Sequence, residues 1–217
     1  MENNLESRIV KINSRTSSGV TLKVIPGHFA TNHSHINYYI DMTTLKTRQS
    51  EAAAVAKSFV NKYSAITVVD TIVCMDGCEV IGAYLADELT RNGVQSMNQH
   101  KTIYVISPEY DSTGQMIFRD NIQPMVRGKN IILLVASATT GKTIRRCLEC
   151  LDYYGGKVEG ISAIFSAVSY IDGIEVDSIF QEKDVPEYNT YSHVDCPFCK
   201  KGERLEALVN SFGYSAL

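Results

Sequence analysis

The residues best suited to chemistry are ASATTGKT, at positions 136–143. Thr139, Thr140 and Thr143 offer hydroxyl donors, and Gly141 lets a backbone approach a ligand closely. Ser137, Ala138 and Lys142 complete the turn. The run Ile131 to Ala136 before it is wholly apolar, as a strand buried on both faces would be. After it, Ile144, Cys147, Leu148 and Leu151 recur at helical spacing, and Gly155-Gly156 closes that helix. A helix starting at this point presents unsatisfied amide N–H groups and the positive end of its dipole. The pattern is therefore a phosphate cradle, set against a plain strand–helix turn with a threonine cap.

Other candidates lie outside that turn. Cys74-Met75-Asp76-Gly77-Cys78 forms a short loop with Glu79 beside it. Gly77 suits a turn against a ligand, and Asp76 and Glu79 suit a helix start. The cysteines fall in close pairs at 74/78, 147/150 and 196/199. Cys147 lies on an apolar helix stripe and reads as packing. Cys196-Pro-Phe-Cys199, with His193 three residues before, has the spacing of a metal clip but needs one more ligand, such as one from a dimer mate. A reduced structural knuckle without zinc is expected there. His28, His33 and His35 cluster in GHFATNHSHIN, where 33 and 35 share a face if that stretch is a strand, set against a plain polar surface turn. Of Tyr38 and Tyr39, one is expected in the core and the other free to stack on a base. Tyr153-Tyr154 reads as packing.

The elements that must position these residues follow from periodicity. Residues 20–41 read as short strands and turns. Ala52, Val55, Ala56, Phe59, Val60 and Tyr63 mark a helix over 48–63. A strand over 67–75 precedes a second helix carrying Val80, Ile81, Tyr84, Leu85 and Leu89, ended by Asn92-Gly93. Strands follow at 102–106, 131–136 and 158–166, with a long polar loop at 107–122. The tail beyond 181 is polar, with a short helix expected near 203–211. Alternating strands and helices imply right-handed βαβ units and a parallel sheet. Ligands bind such sheets at the carboxyl ends of the strands, so the turns at 74–78, 107–122 and 136–143 should share one edge.

Composition narrows the function. The chain has 217 residues, 21 Lys and Arg against 24 Asp and Glu, and a net charge of −3, which argues against a nucleic-acid or membrane-surface binder. A hydrophobic fraction of 44% and a charged fraction of 21% fit a soluble globule. A single unit is expected, with a hood over about 1–45, a sheet core over about 46–180 and a tail over about 181–217. No apolar run is long enough to span a membrane, and MENNLESRIVKIN has no signal-peptide core. Six cysteines in such a chain suit reduced thiols and the cytoplasm.

Two families share the strand–TTGKT–helix context. Ala136, Gly141, Lys142 and Thr143 resemble the P-loop of nucleotide hydrolases if alanine replaces the first glycine, with SYID at 169–172 as a metal-binding aspartate. ILLVASATTGKT resembles more fully the signature of the type I phosphoribosyltransferases. The order of elements agrees, with CMDGC in the place of that family's pyrophosphate loop. INYYIDM and CPFCKKG are similar to segments of the orotate phosphoribosyltransferase branch. The resemblance runs over most of residues 20–200. It implies a twisted parallel sheet flanked by helices with a small N-terminal hood, a homodimer, and transfer of phosphoribosyl from 5-phosphoribosyl 1-diphosphate to a nitrogenous base. It implies that Ala138 to Thr143 hold the 5-phosphate and that Met75, Asp76, Gly77 and Cys78 receive the pyrophosphate. It also implies magnesium, which Asp76 would touch through water. The hood histidines would lie over the acceptor base. Loop 107–122 would close over the site.

The pattern breaks in two places. The family's acidic pair falls on Val135 and Ala136. Residues 107–121 carry one cation, Arg119, against Glu109, Asp111 and Asp120, a net −2 where the family is basic. Lys142, Arg145, Arg146, Arg127 and Lys129 are the cations near enough in sequence to compensate. A catalytically degenerate relative that senses a nucleotide or sugar phosphate is the alternative these breaks leave open.

Overall fold

The computed structural model describes residues 5–91, 96–99 and 101–217. The hood opens with β1 (Val10–Asn13), β2 (Thr21–Ala30) and β3 (His35–Asp41). Helices α1 (Thr43–Thr47) and α2 (Gln49–Tyr63) lead into the core. There β4 (Thr71–Cys74), α3 (Glu79–Arg91), β5 (Tyr104–Ile106), β6 (Glu109–Tyr110), β7 (Met116–Ile117), β8 (Asn130–Ala138), α4 (Lys142–Tyr153) and β9 (Lys157–Ser166) follow. The chain ends with β10 (Tyr170–Ile171), β11 (Ile174–Gln181), β12 (Thr190–Tyr191), α5 (Pro197–Lys200), β13 (Ala207–Asn210) and β14 (Gly213–Ala216).

The main sheet has the order β10-β11-β9-β8-β4-β5 and is parallel except for the short β10–β11 hairpin. Its central strand β8 is the apolar run read from the sequence, and Ile131 to Ala136 are all buried. One face is covered by α2 and α3 through Ala52, Val55, Phe59, Ile81, Leu85 and Leu89. The other is covered by α4 through Ile144, Cys147 and Leu151. Each large side chain so buried contributes about 1.5–3 kcal/mol before entropy is subtracted. The predicted helix stripes are buried except for exposed Val80 and half-buried Tyr84 and Leu148. The end of α3 predicted at Asn92-Gly93 lies outside the described residues.

A second sheet, β12-β3-β2-β13-β14 with β1 also on β2, makes the hood. Its small core holds Ile25, Phe29, Ile36, Tyr39, Ala207 and Val209. Here the tail expectation fails. Residues 203–211 carry no helix; the only tail α-helix among the described residues is the short α5, and 207–216 is a β-hairpin. Ala207 and Val209 point inward while Leu208 and Asn210 point out, which is strand period, and β13 fills an open edge of β2. The polar loop at 107–122 also has structure. β6 and β7 pair as a hairpin, and buried Met116 and Phe118 anchor it, Phe118 against Tyr154.

Both cores converge on one edge. The carboxyl ends of β4 and β8 deliver residues 75–78 and 139–141 to the same rim, where the tip of the β2–β3 hairpin faces them.

Candidate functional site

At the end of β8 the chain leaves the sheet through Thr139 and Thr140 and enters α4 at Gly141, whose φ of 71° is left-handed. A side chain there would be strained, and its Cβ would lie 3.0 Å from Ile171. Three carbonyls of this turn are tied down. Ala138 O accepts from the Ala167 N–H at 2.8 Å, Gly141 O from the Arg145 N–H at 2.9 Å, and Thr140 O from Arg145 Nη1 at 3.4 Å. The N–H groups are free. Among the described residues, no hydrogen bond uses the amides of Thr139, Thr140, Gly141, Lys142, Thr143 or Ile144. These residues line a cavity of about 250 Å³. Free amides beside a helix start make an anion site. All of Ser137 to Thr143 face the cavity, so the predicted cradle is assembled as one surface.

The 75–78 turn is only partly there. Met75 and Asp76 line the cavity, whereas Gly77 and Cys78 do not. The Met75 N–H is used by Leu134 O at 2.8 Å and the Cys78 N–H by Met75 O at 3.1 Å. Cys78 is fully buried, and burial raises its thiol pKa well above the usual range. Asp76 and Gly77 both take positive φ, 59° and 77°. That kink turns the Asp76 carboxylate toward the Ala136 amide and Ser211. Burial pushes the Asp76 pKa up, partly offset by those hydrogen bonds and by Lys46.

Lys46 is a cavity residue that the sequence reading missed. It sits on α1 behind buried Met42 and Leu45 and is itself 6% exposed. Its Nζ donates to Asp76 O at 2.6 Å and also to Ser211 O. A lysine at helical spacing from an apolar pair was the available signal. Asn210 and Ser211 were missed for the same reason as β13.

Val135 and Ala136 form part of the cavity wall, 2% and 3% exposed, and bring no carboxylate. The acid among the lining residues is Asp76, whose carboxylate is turned toward the Ala136 N–H. Of the cations weighed as compensation, Lys142 lines the cavity; Arg145, Arg146, Arg127 and Lys129 do not. Arg145 is paired with Asp172 at 3.1 Å. Asp172 itself lies in the β10–β11 turn with φ 50°, away from the cavity, so SYID does not supply the metal-binding aspartate of a P-loop protein. The 107–122 hairpin contributes no lining residue, and Arg119 is held by Glu109 at 2.8 Å. Thr31, Asn32, His33 and Ser34 form the facing wall. His33 and His35 do not share a face, because the turn runs through Ser34: His33 meets the cavity and His35 turns into the hood. Tyr39 is the buried tyrosine of its pair and also borders the cavity, and burial raises its pKa to about 12.

No protein-family model matches the sequence, and no curated protein matches it. Solved structures do. An orotate phosphoribosyltransferase from Mycobacterium tuberculosis aligns with a TM-score of 0.52 at 14% identity, over 75% of this chain and 91% of that one. The orotate phosphoribosyltransferase from Aeropyrum pernix gives 0.51 at 17%, over 74% and 88%. The adenine phosphoribosyltransferase from Thermoanaerobacter pseudethanolicus gives 0.50 at 14%, over 82% and 97%. The fold of this chain is that of the type I phosphoribosyltransferases.

Proposed function

We propose that the cavity binds a 5-phosphoribosyl ligand and that the protein transfers phosphoribosyl from 5-phosphoribosyl 1-diphosphate to a nitrogenous base. The observation that carries this is the set of free amides from Thr139 to Ile144, all on residues that line one cavity. They suit the 5-phosphate, with the Thr139, Thr140 and Thr143 hydroxyls beside them. On this reading Asp76, the carboxylate of the cavity wall, takes the ribose-binding role left by Val135 and Ala136. Lys46 and Lys142 provide positive charge for a leaving pyrophosphate that the acidic 107–122 hairpin does not. A single cavity carboxylate fits magnesium, which keeps most of its waters and takes its other ligands from substrate phosphates. When bound it would neutralise pyrophosphate charge, and Asp76 is the residue to hold it. The His33 side of the wall is open to an acceptor base. The residues position the anomeric carbon and neutralise charge, and no covalent nucleophile is required.

The second reading, a relative that binds a nucleotide or sugar phosphate without turnover, is favoured by the apolar wall at Val135 and Ala136. One experiment separates the two. The protein is melted with 5-phosphoribosyl 1-diphosphate and magnesium, and separately with nucleoside monophosphates. A millimolar ligand of ~10 µM affinity adds about 2.7 kcal/mol. A shift with the diphosphate, together with pyrophosphate release on adding a panel of bases, supports transfer. A shift with monophosphates alone supports sensing. No shift with any of them defeats both.

A further inference from the structure

Away from the cavity, the hood brings together two histidines and two cysteines from distant parts of the chain, His28 and Cys196 being 168 residues apart and His35 and Cys199 164. His28 belongs to β2, His35 to β3, Cys196 caps the start of α5 and Cys199 lies within it. One ligand-competent atom from each falls within 4.8 Å of all the others. His28 Nε2 is 3.1 Å from His35 Nδ1 and 3.4 Å from Cys196 Sγ. Cys199 Sγ is 3.3 Å from His35 Nδ1 and 3.7 Å from His28 Nε2. A tetrahedral zinc ion with ordinary bond lengths has edges of about 3.3 Å between two nitrogens and about 3.6 Å between nitrogen and sulfur. The four measured edges lie close to those values.

We propose that this chain carries a structural zinc site formed by His28, His35, Cys196 and Cys199. The sequence offers Cys196, Cys199 and His193 as three ligands one short of a closed site. The fold supplies different histidines. His193 lies edge-on to the outer side of His35, ring centroids 4.9 Å apart, and is not among the four.

The surroundings suit a closed metal site. His28 Nδ1 is 3.1 Å from the Glu203 carbonyl oxygen, so Nδ1–H is donated outward and the Nε2 lone pair faces the cluster. Phe198 stacks on the His28 ring at 5.1 Å, and Tyr191 packs edge-on to Phe198. His28 and Cys196 are buried. Proline at the first helical position starts α5 between the two cysteines and puts both sulfurs on one side. Two thiolates and two neutral imidazoles balance the charge of a zinc ion. Binding replaces both S–H bonds by S–Zn bonds and releases two protons to solvent. With all four positions filled by protein, the site has no open position for catalysis.

Its consequence for the fold is a staple. It fastens the segment before β13 to the loop end of the β2–β3 hairpin, whose tip, Thr31 to Ser34, is a wall of the cavity. The inference is independent of the phosphoribosyl reading.

The test uses tag-free protein expressed with zinc in the medium and analysed for metal. The expected result is about one zinc per chain. Replacement by cobalt(II) should give the visible bands of a tetrahedral ion and a thiolate charge-transfer band. Cys199→Ser and His35→Ala should lose the metal, while His193→Ala and Cys147→Ser keep it. Because the first two variants can fail to fold, the cobalt spectrum of the unaltered protein stands as a separate check. Zinc below about one-tenth of an equivalent with no cobalt bands overturns the proposal. So does a disulfide between Cys196 and Cys199 in metal-free protein, or zinc retained in full by both ligand variants.

Discussion

The ammonium of Lys46 lies 2.6 Å from the carbonyl oxygen of Asp76 and also bonds to the carbonyl of Ser211. One buried cation thereby joins α1, the turn after β4 and the strand pair near the end of the chain. It both braces the cavity and charges it.

Replacing Lys46 by Met should therefore weaken anion binding and stability together. A hydrogen bond to a charged group is worth about 1.5–3 kcal/mol, so affinity for the phosphorylated ligand should fall about 10- to 150-fold. Calorimetric titration beside a thermal melt measures both. Unchanged affinity would remove Lys46 from the site.

Gly141→Val acts through backbone geometry. A β-branched residue is strained at φ 71°, and Ile171 stands 3.0 Å from the new Cβ. The cost should be about 2 kcal/mol, lowering Tm by roughly 4–8 °C in a chain of this size. The Tm rise with ligand should disappear as well, because the amides no longer converge. A full ligand response in this variant would mean that the anion binds elsewhere.

Asp76 imposes a pH dependence of definite sign. Its pKa in the folded chain is raised, chiefly by burial. Between the ordinary carboxylate pKa and the raised one, the folded state holds more proton than the unfolded state. Stability therefore falls as pH rises through that window. Asp76→Asn removes this contribution. Denaturation curves of the two proteins from acid to neutral pH should show the variant gaining on the parent as pH rises. A constant difference between them would contradict the assignment.

Tyr63→Phe tests the core beneath the sheet. The Tyr63 hydroxyl is buried and lies 2.7 Å from Ser162 Oγ, with Gly160 leaving room for the ring. Its loss leaves a buried serine short of a partner, at a cost of about 1–3 kcal/mol by urea denaturation. Ligand affinity should not change, since neither residue lines the cavity.

What was legible in the sequence was whatever repeats locally. The apolar run of β8 and the stripes of α2, α3 and α4 announce themselves within a few residues, and the TTGKT turn lies between two of them. The resemblance to the phosphoribosyltransferases therefore identified the fold correctly even though both catalytic signatures were altered. What was illegible depends on distant partners. The strand period of Ala207 and Val209 is too short to stand out without the edge of β2. Lys46 gains its meaning only from Asp76 and Ser211. His28 and His35 could be seen as a cluster and Cys196 and Cys199 as a pair, but nothing local joins the two.

The seating of β13 beside β2 has a consequence for synthesis. Asn210 and Ser211 meet Thr31 to Lys46 at the cavity wall, so a chain emerging from the ribosome makes the anion turn long before it can enclose a ligand. Until residue 211 clears the exit tunnel, the unfinished edge of β2 is exposed to other strands. Chains truncated before Ala207 should be held by chaperones, and the 217-residue chain released.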